Sequence, residues 1–173
     1  MRIFIAIEIP EKIKEEIFKI QEQLPSFKGK LTERENLHVT LKFLGEIDAN
    51  KVEEVKKRLA EINYRLFESK IDKIGFFDNQ DRGVIWIHLP NCEKLQKEVD
   101  KKLEGLFEIE KKFMSHLTIA RTKHIQDKKK FLEDLEKIKI TPLEFEIKEF
   151  VLKESVLSKG KHTYQDIKRY KLE

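Results

Sequence analysis

This chain of 173 residues holds a single cysteine, Cys92, so no disulfide can close within it and a reducing compartment is the natural setting. Cys92 follows Asn91 where a helix is expected to start, a position that can lower a thiol pKa. No partner histidine is apparent for it, and it is set aside as a nucleophile. Four prolines and six glycines leave no stretch rich enough in either to serve as a linker, and no segment is low in complexity. The parts of the chain are therefore expected to fit tightly together. No apolar run reaches the length of a membrane span. The N-terminus enters a strand pattern at once rather than a secretory leader, and a cytoplasmic location is expected. There is no HExxH, no pair of cysteines, no P-loop and no GxGxxG, so the usual signatures of metal and nucleotide sites are missing. Nor is one sign of charge in excess. Against 36 lysines and arginines stand 32 acidic residues, a net of +4 that leans toward an anionic partner without the basic stripe of a dedicated nucleic-acid binder.

What the chain does have is charge of both signs, at 39% of residues, dominated by Lys and Glu in the manner of surface ion-pair networks that work at high temperature. It also has one pattern twice. Leu37 to Phe43 alternates apolar residues with His38, Thr40 and Lys42, the mark of a strand with one dry face and one face bearing an imidazole, a hydroxyl and a cation. Ser115 to Arg121 repeats it as His116, Thr118 and a base, Arg121, with the two histidines 78 positions apart (116 − 38). His88 falls in an apolar strand and reads as a packed or edge residue, and His124 as a solvated loop residue. His162, in a C-terminal loop near Tyr164, is a weaker candidate.

Periodicity elsewhere predicts strands at 2–9, 71–77, 83–89, 144–152 and 164–172, with the histidine strands at about 37–43 and 113–121. Amphipathic helices are predicted after Pro10, after Asp48, from Glu93 to Leu106 and from Asp127 to Ile138. Each histidine strand thus has a helix before it and another after it. The order β-α-β-α-β-β-α-β-α-β-β predicts an α+β fold of duplicated lobes, each an antiparallel-rich sheet backed by two helices.

His and Thr two apart on a strand share a face roughly 7 Å apart, given a rise of about 3.3 Å per residue. Two such strands across a cleft would set a neutral and a protonated imidazole on opposite sides of a phosphorus, one as base and one as acid. The threonine hydroxyls, with Lys42 or Arg121, would hold the non-bridging oxygens. Neither motif contains an acidic residue and both carry a base, so the site suits an anion and no metal is expected. Arg121 shares the parity of Leu117 and Ile119, so a bulge or strand end near Ala120 is needed to turn it into the cleft. Lys42 needs none.

At these residues the chain resembles the RNA 2′,3′-cyclic phosphodiesterase (2′-5′ RNA ligase) family of the two-histidine phosphoesterase superfamily. The resemblance runs through Arg2 to Ile7, Asn36 to Gly45, Val84-Ile85-Trp86, Ser115 to Arg121, and Ser155, Leu157, Gly160 and Tyr164. It implies a bilobed fold of pseudo-two-fold symmetry, two antiparallel-rich sheets facing a central cleft with helices outside, in one domain of two intertwined lobes over residues 1–173. It implies cofactor-free hydrolysis of RNA 2′,3′-cyclic phosphate ends to 2′-phosphate ends, with His38 as general acid and His116 as general base. Thr40 and Thr118 would hold the phosphate, Lys42 and Arg121 would contact phosphate or RNA, and Phe4 and Tyr164 would line the site. A monomer acting on RNA ends, tRNA halves among them, is expected. Two other readings remain: 2′-5′ joining of RNA halves, and an RNA-end binding protein without turnover.

Overall fold

Alternating isoleucines build β1 (Arg2–Glu8), whose Ile3, Ile5 and Ile7 lie in the hydrophobic core while Phe4, Ala6 and Glu8 take the other face. The computed structural model describes residues 1–80 and 82–173. After β1 come α1 (Glu11–Glu22), β2 (Lys28–Leu31), a 3₁₀ turn (Arg34–Asn36), β3 (His38–Glu46), α2 (Ala49–Leu59) and β4 (Phe67–Ile71). The second half runs β5 (Ile74–Asn79), β6 (Arg82–His88), α3 (Glu93–Lys102), β7 (His116–His124), α4 (Lys128–Glu136) and β8 (Leu143–Ile147). β9 (Glu149–Ser158) and β10 (Lys161–Lys171) close the chain.

Each helix buries one stripe, Ile13, Ile17 and Ile20 in α1 and Val52, Val55 and Leu59 in α2, against the same core as the strands. Asp48 and Asp127 cap α2 and α4, their carboxylates accepting from the amides of Lys51 and Lys130 at 2.8 and 3.1 Å. The α3 stripe stops earlier than the periodicity suggests. Gly105 takes φ +82° and ends the helical course, although Leu103 remains fully buried.

The large sheet has the order β10-β9-β1-β3-β7-β6-β5, with β2 added to β7, and β4 pairs β8 in a small second sheet; all strand pairs are antiparallel. The expected two sheets meet at the centre. β3 and β7 touch through one register pair, Val39 with Leu117, which joins four strands on one side to four on the other. The two central strands share one burial sequence along their nine residues, half-buried at the histidine and threonine, buried at the next two positions, exposed at the one after. That match makes the duplication concrete.

Three strand assignments differ from expectation, each for a physical reason. β2 is fully exposed and carries no alternation, so only the edge of β7 defines it. The predicted strand at 71–77 is two strands, because β4 leaves the large sheet to pair β8 and β5 starts again at Ile74 to pair β6. The strand at 144–152 likewise breaks at Lys148, between β8 and β9.

β2 reaches β7 because Gly29 has no side chain. A Cβ there would stand 2.1 Å from the Arg121 carbonyl oxygen and 2.9 Å from Thr122 Cα, both backbone atoms that cannot step aside. Gly29→Ala is therefore expected to peel β2 from β7 and lower stability by about 1–3 kcal/mol. Urea unfolding measures this, and an unchanged midpoint would contradict the close approach.

Candidate active site

β3 and β7 each begin on a histidine, and the chain entering each strand determines how that ring is held. His38 Nδ1–H donates to the carbonyl of Asn36 at 2.8 Å, and His116 Nδ1–H donates to the carbonyl of Met114 at 2.8 Å. A carbonyl can only accept, so both rings carry a proton on Nδ1 and turn Nε2 outward. Thr40 Oγ1 lies 3.0 Å from His38 Nε2 and donates to it while the ring is neutral. His116 Nε2 has no hydrogen-bond partner among the described residues. Both histidines and both threonines line one cleft of about 810 Å³, together with Phe4, Arg121 and Tyr164.

The surroundings of the two rings differ. Phe4 and Tyr164 each set a ring centroid 5.1 Å from that of His38, Tyr164 edge-on at 88°. Burial in that aromatic wall, helped by the positive charges of Lys153 and Arg121, pushes the His38 pKa from 6.5 down to about 4, against the opposing pull of the Asn36 carbonyl and the Glu8 carboxylate. His116 meets Phe77 at 5.3 Å and 82°, and Phe77 in turn packs on Trp86 at 5.1 Å.

A bulge decides the two basic positions. On β7, Thr118 faces Trp86 and Ala120 faces Ile85, so Ile119 is an extra residue. The strand changes face there, and Arg121 comes out exposed and into the cleft. The same bulge exists on β3, where Thr40 faces Ala6 and Lys42 faces Ile5 with Leu41 extra. Lys42 was expected to face the cleft without any such device, and the bulge overturns that. Its residue borders the cleft, but its ammonium is buried, 2.5 Å from Asp100 Oδ1 and donating to the Glu108 carbonyl at 2.6 Å. The position equivalent to Arg121 is Phe43, two-thirds exposed, its ring 5.9 Å from Phe4.

Asp100 also accepts from Gln96 Nε2 at 2.7 Å and from the Glu110 amide at 3.0 Å. The buried pair thus ties the segment ahead of Met114 and His116 to the back of β3. His162, the weaker candidate, lies on β10 rather than in a loop and does line the cleft, its Nδ1 3.2 Å from Ser155 Oγ; Ser155 and Arg2, given no site role by the sequence, are on the same wall. The β9–β10 pairing that brings them there leaves no local pattern. His88 is paired with His116 across the strands, half-buried and bonded to Asp72 at 3.0 Å, and His124 is exposed at the end of β7. Cys92 is fully buried, which pushes its thiol up to about 11 and suits no nucleophile.

The sequence matches the family model described as LigT like Phosphoesterase over residues 7–86 and 89–164. A Methanocaldococcus jannaschii protein named RNA 2′,3′-cyclic phosphodiesterase is 42% identical over 175 residues, spanning 98% of this chain and 100% of that protein. One of the same name from Archaeoglobus fulgidus is 31% identical over 175 residues, spanning 97% and 98%. Among solved structures, Escherichia coli LigT complexed with 3′-AMP aligns with a TM-score of 0.80 and 25% identity, over 99% of this chain and 97% of that one.

Two outcomes follow from the site's energetics. Lys42→Met strands the Asp100 carboxylate in the interior and should cost about 3–5 kcal/mol, while Lys42→Met with Asp100→Leu should recover much of it; denaturant unfolding of the three proteins compares them. His38, lowered to about 4 when folded, is neutral in the native state where the unfolded chain would already be protonated. Stability is then complete above about 6.5 and declines as pH falls from there toward about 4. His38→Asn should flatten that decline, read as urea midpoints at several pH values, and an unchanged slope would contradict the burial of the ring.

Proposed function

The chain belongs to the LigT-like phosphoesterase family, and from that premise we propose that it hydrolyses RNA 2′,3′-cyclic phosphate ends to 2′-phosphate ends with two histidines and no metal. One observation carries the reading: two imidazoles at equivalent strand positions, each fixed as the Nδ1–H form and each presenting Nε2 to the same cleft. Neither half of the chain holds more than one of them, so residues 1–173 act as one catalytic unit of two intertwined lobes.

In the reaction, a water oxygen attacks phosphorus while the base takes its proton. The bond from phosphorus to the 3′ oxygen breaks, and the acid gives that oxygen a proton, leaving a 2′-phosphate and a 3′-hydroxyl. His116 is the base and His38 the acid. Thr40 and Thr118 donate to the non-bridging oxygens, and Arg121 balances the charge that builds on them. Lys42, committed to Asp100, supports the wall of the cleft instead of the phosphate. Phe4 and Tyr164 keep water away from His38, and Phe43 offers a face on which a base can stack.

A second reading exchanges the two proton roles, and the low pKa of His38 favours it. A ring held near 4 meets the substrate neutral, ready to accept a proton. For His38 to serve as acid, the phosphate must bring a proton with it, since an anion beside the ring favours its charged form.

RNA ending in a cyclic phosphate should be opened in the presence of EDTA to a 2′-phosphate identified by mass. His38→Ala and His116→Ala should each reduce kcat by at least about 100-fold. Retained turnover in either variant overturns the pair, and an intact cyclic end after long incubation leaves only binding. A cyclic phosphorothiolate with sulfur at the 3′ bridge separates the roles, because sulfur departs without a proton. It should restore turnover to whichever variant lacks the acid.

A further inference from the structure

The two lobes are equivalent in backbone but opposite in chemistry just beyond the bulges. The exposed position after Leu41 is an aromatic ring, Phe43, and the one after Ile119 is a guanidinium, Arg121. Around Arg121 the cations multiply. Lys30 on β2 is its register partner, and Arg82 on β6 lines the same cleft. Arg82 also lines a second, smaller cavity of about 180 Å³ between the β5–β6 turn and the far end of β7. That cavity is bordered by Lys123, His124 and Lys128. Lys128 is 2.8 Å from Asp78, and Lys30 is 3.8 Å from Glu33, whereas Arg82, Arg121 and Lys123 have no acidic partner among the described residues. On the side of the cleft bearing β1, β9 and β10 most cations are engaged: Lys153 is locked between Glu8 and Asp166, Arg169 pairs with Glu8, Asp166 and Glu149, and Lys161 pairs with Glu33, which leaves Arg2 as that side's cleft cation without an acidic partner among the described residues.

We propose that RNA on the 5′ side of the reacting nucleotide leaves the cleft over the β6–β7 side, its phosphates following Arg121 and Lys30 to Arg82 and Lys123 and into the small cavity. This rests on the activity proposed above and adds a direction and a second contact region. From Thr118 to Lys123, with Ile119 bulged, the strand advances by about four steps or about 13 Å at roughly 3.3 Å per residue, far enough to pass the terminal nucleotide and meet the linkages before it. Unpaired arginine and lysine at that reach are what a flexible polyanion recruits, in exchange for counterions released to solvent. The terminal base lies on the opposite side, against Phe43. The ligand class is therefore a single-stranded oligonucleotide, and a cyclic mononucleotide would occupy only the central cleft.

The double variant Lys123→Gln with Lys128→Gln, both bordering the small cavity and neither the central cleft, tests the track against two substrates, a tetranucleotide and a mononucleotide with the same 2′,3′-cyclic end. The variant should lose about 10-fold in kcat/KM on the tetranucleotide at low salt and change little on the mononucleotide. Its salt slope should become shallower by about 0.7 for each phosphate contact removed. Binding of a tetranucleotide with a 3′-phosphate end, followed by fluorescence anisotropy, is read alongside and requires no turnover. Equal losses on both substrates, or an unchanged Kd and salt slope, overturn the track. Weakened binding by the variant, with no hydrolysis of any cyclic end by the unsubstituted protein, would uphold the track and overturn the proposed activity instead.

Discussion

Each central strand changes the face of its side chains just beyond its threonine, at the extra residues Leu41 and Ile119, and the site depends on that change. Before the bulge, His and Thr at alternate positions look into the cleft. After it, the alternation is offset by one, so the fourth position beyond the histidine turns inward and the fifth turns out. In β7 the inward position is Ala120, which costs nothing to bury, and Arg121 becomes available to an anion. In β3 the inward position is Lys42, whose buried charge is tolerable only because Asp100 and the Glu108 carbonyl meet it. A repeated backbone feature thus yields a phosphate-facing guanidinium in one lobe and an internal ion pair in the other.

The electrostatics of the cleft follow from the same division. One histidine is enclosed by aromatic rings and influenced by Lys153 and Arg121, an environment that resists a positive charge until an anion arrives. Burial and nearby cations both oppose the imidazolium, and a bound phosphate reverses the second of these. Such a ring responds to its ligand more strongly than one in water. The hydrogen bonds from Nδ1 to Asn36 and Met114 complete the arrangement, since they remove the choice of tautomer before any substrate enters.

The two histidine strands, the helical stripes and the cap at Asp48 were all legible in the sequence, because each is a local rule written at short spacing. The bulge at Ile119 was legible only as a requirement: Arg121 could not otherwise face the cleft. The matching bulge at Leu41 left no trace, since Lys42 already had the parity expected of a cleft residue. The partner that takes Lys42 inward, Asp100, lies 58 positions away on α3. β2 escaped notice for a similar reason, being defined by the edge it completes rather than by its own four exposed residues. Ser155, His162 and Tyr164 reach the first histidine's side of the cleft through β9 and β10, and strand order is not a property of any short window.

That strand order has a consequence for how the molecule is made. β9 and β10, the last strands in the chain, lie beside β1, the first, and β4 pairs with β8 across a gap of some seventy residues. Contacts so distant in sequence are slow to close, because the intervening chain must first lose its freedom. During synthesis β1 and β3 are finished early and then wait, their edges unpaired, until the C-terminal hairpin emerges to cover β1. The aromatic wall of His38 is completed at the same moment, by Tyr164. The first half therefore cannot mature ahead of the second, and the site forms only when the whole chain is present.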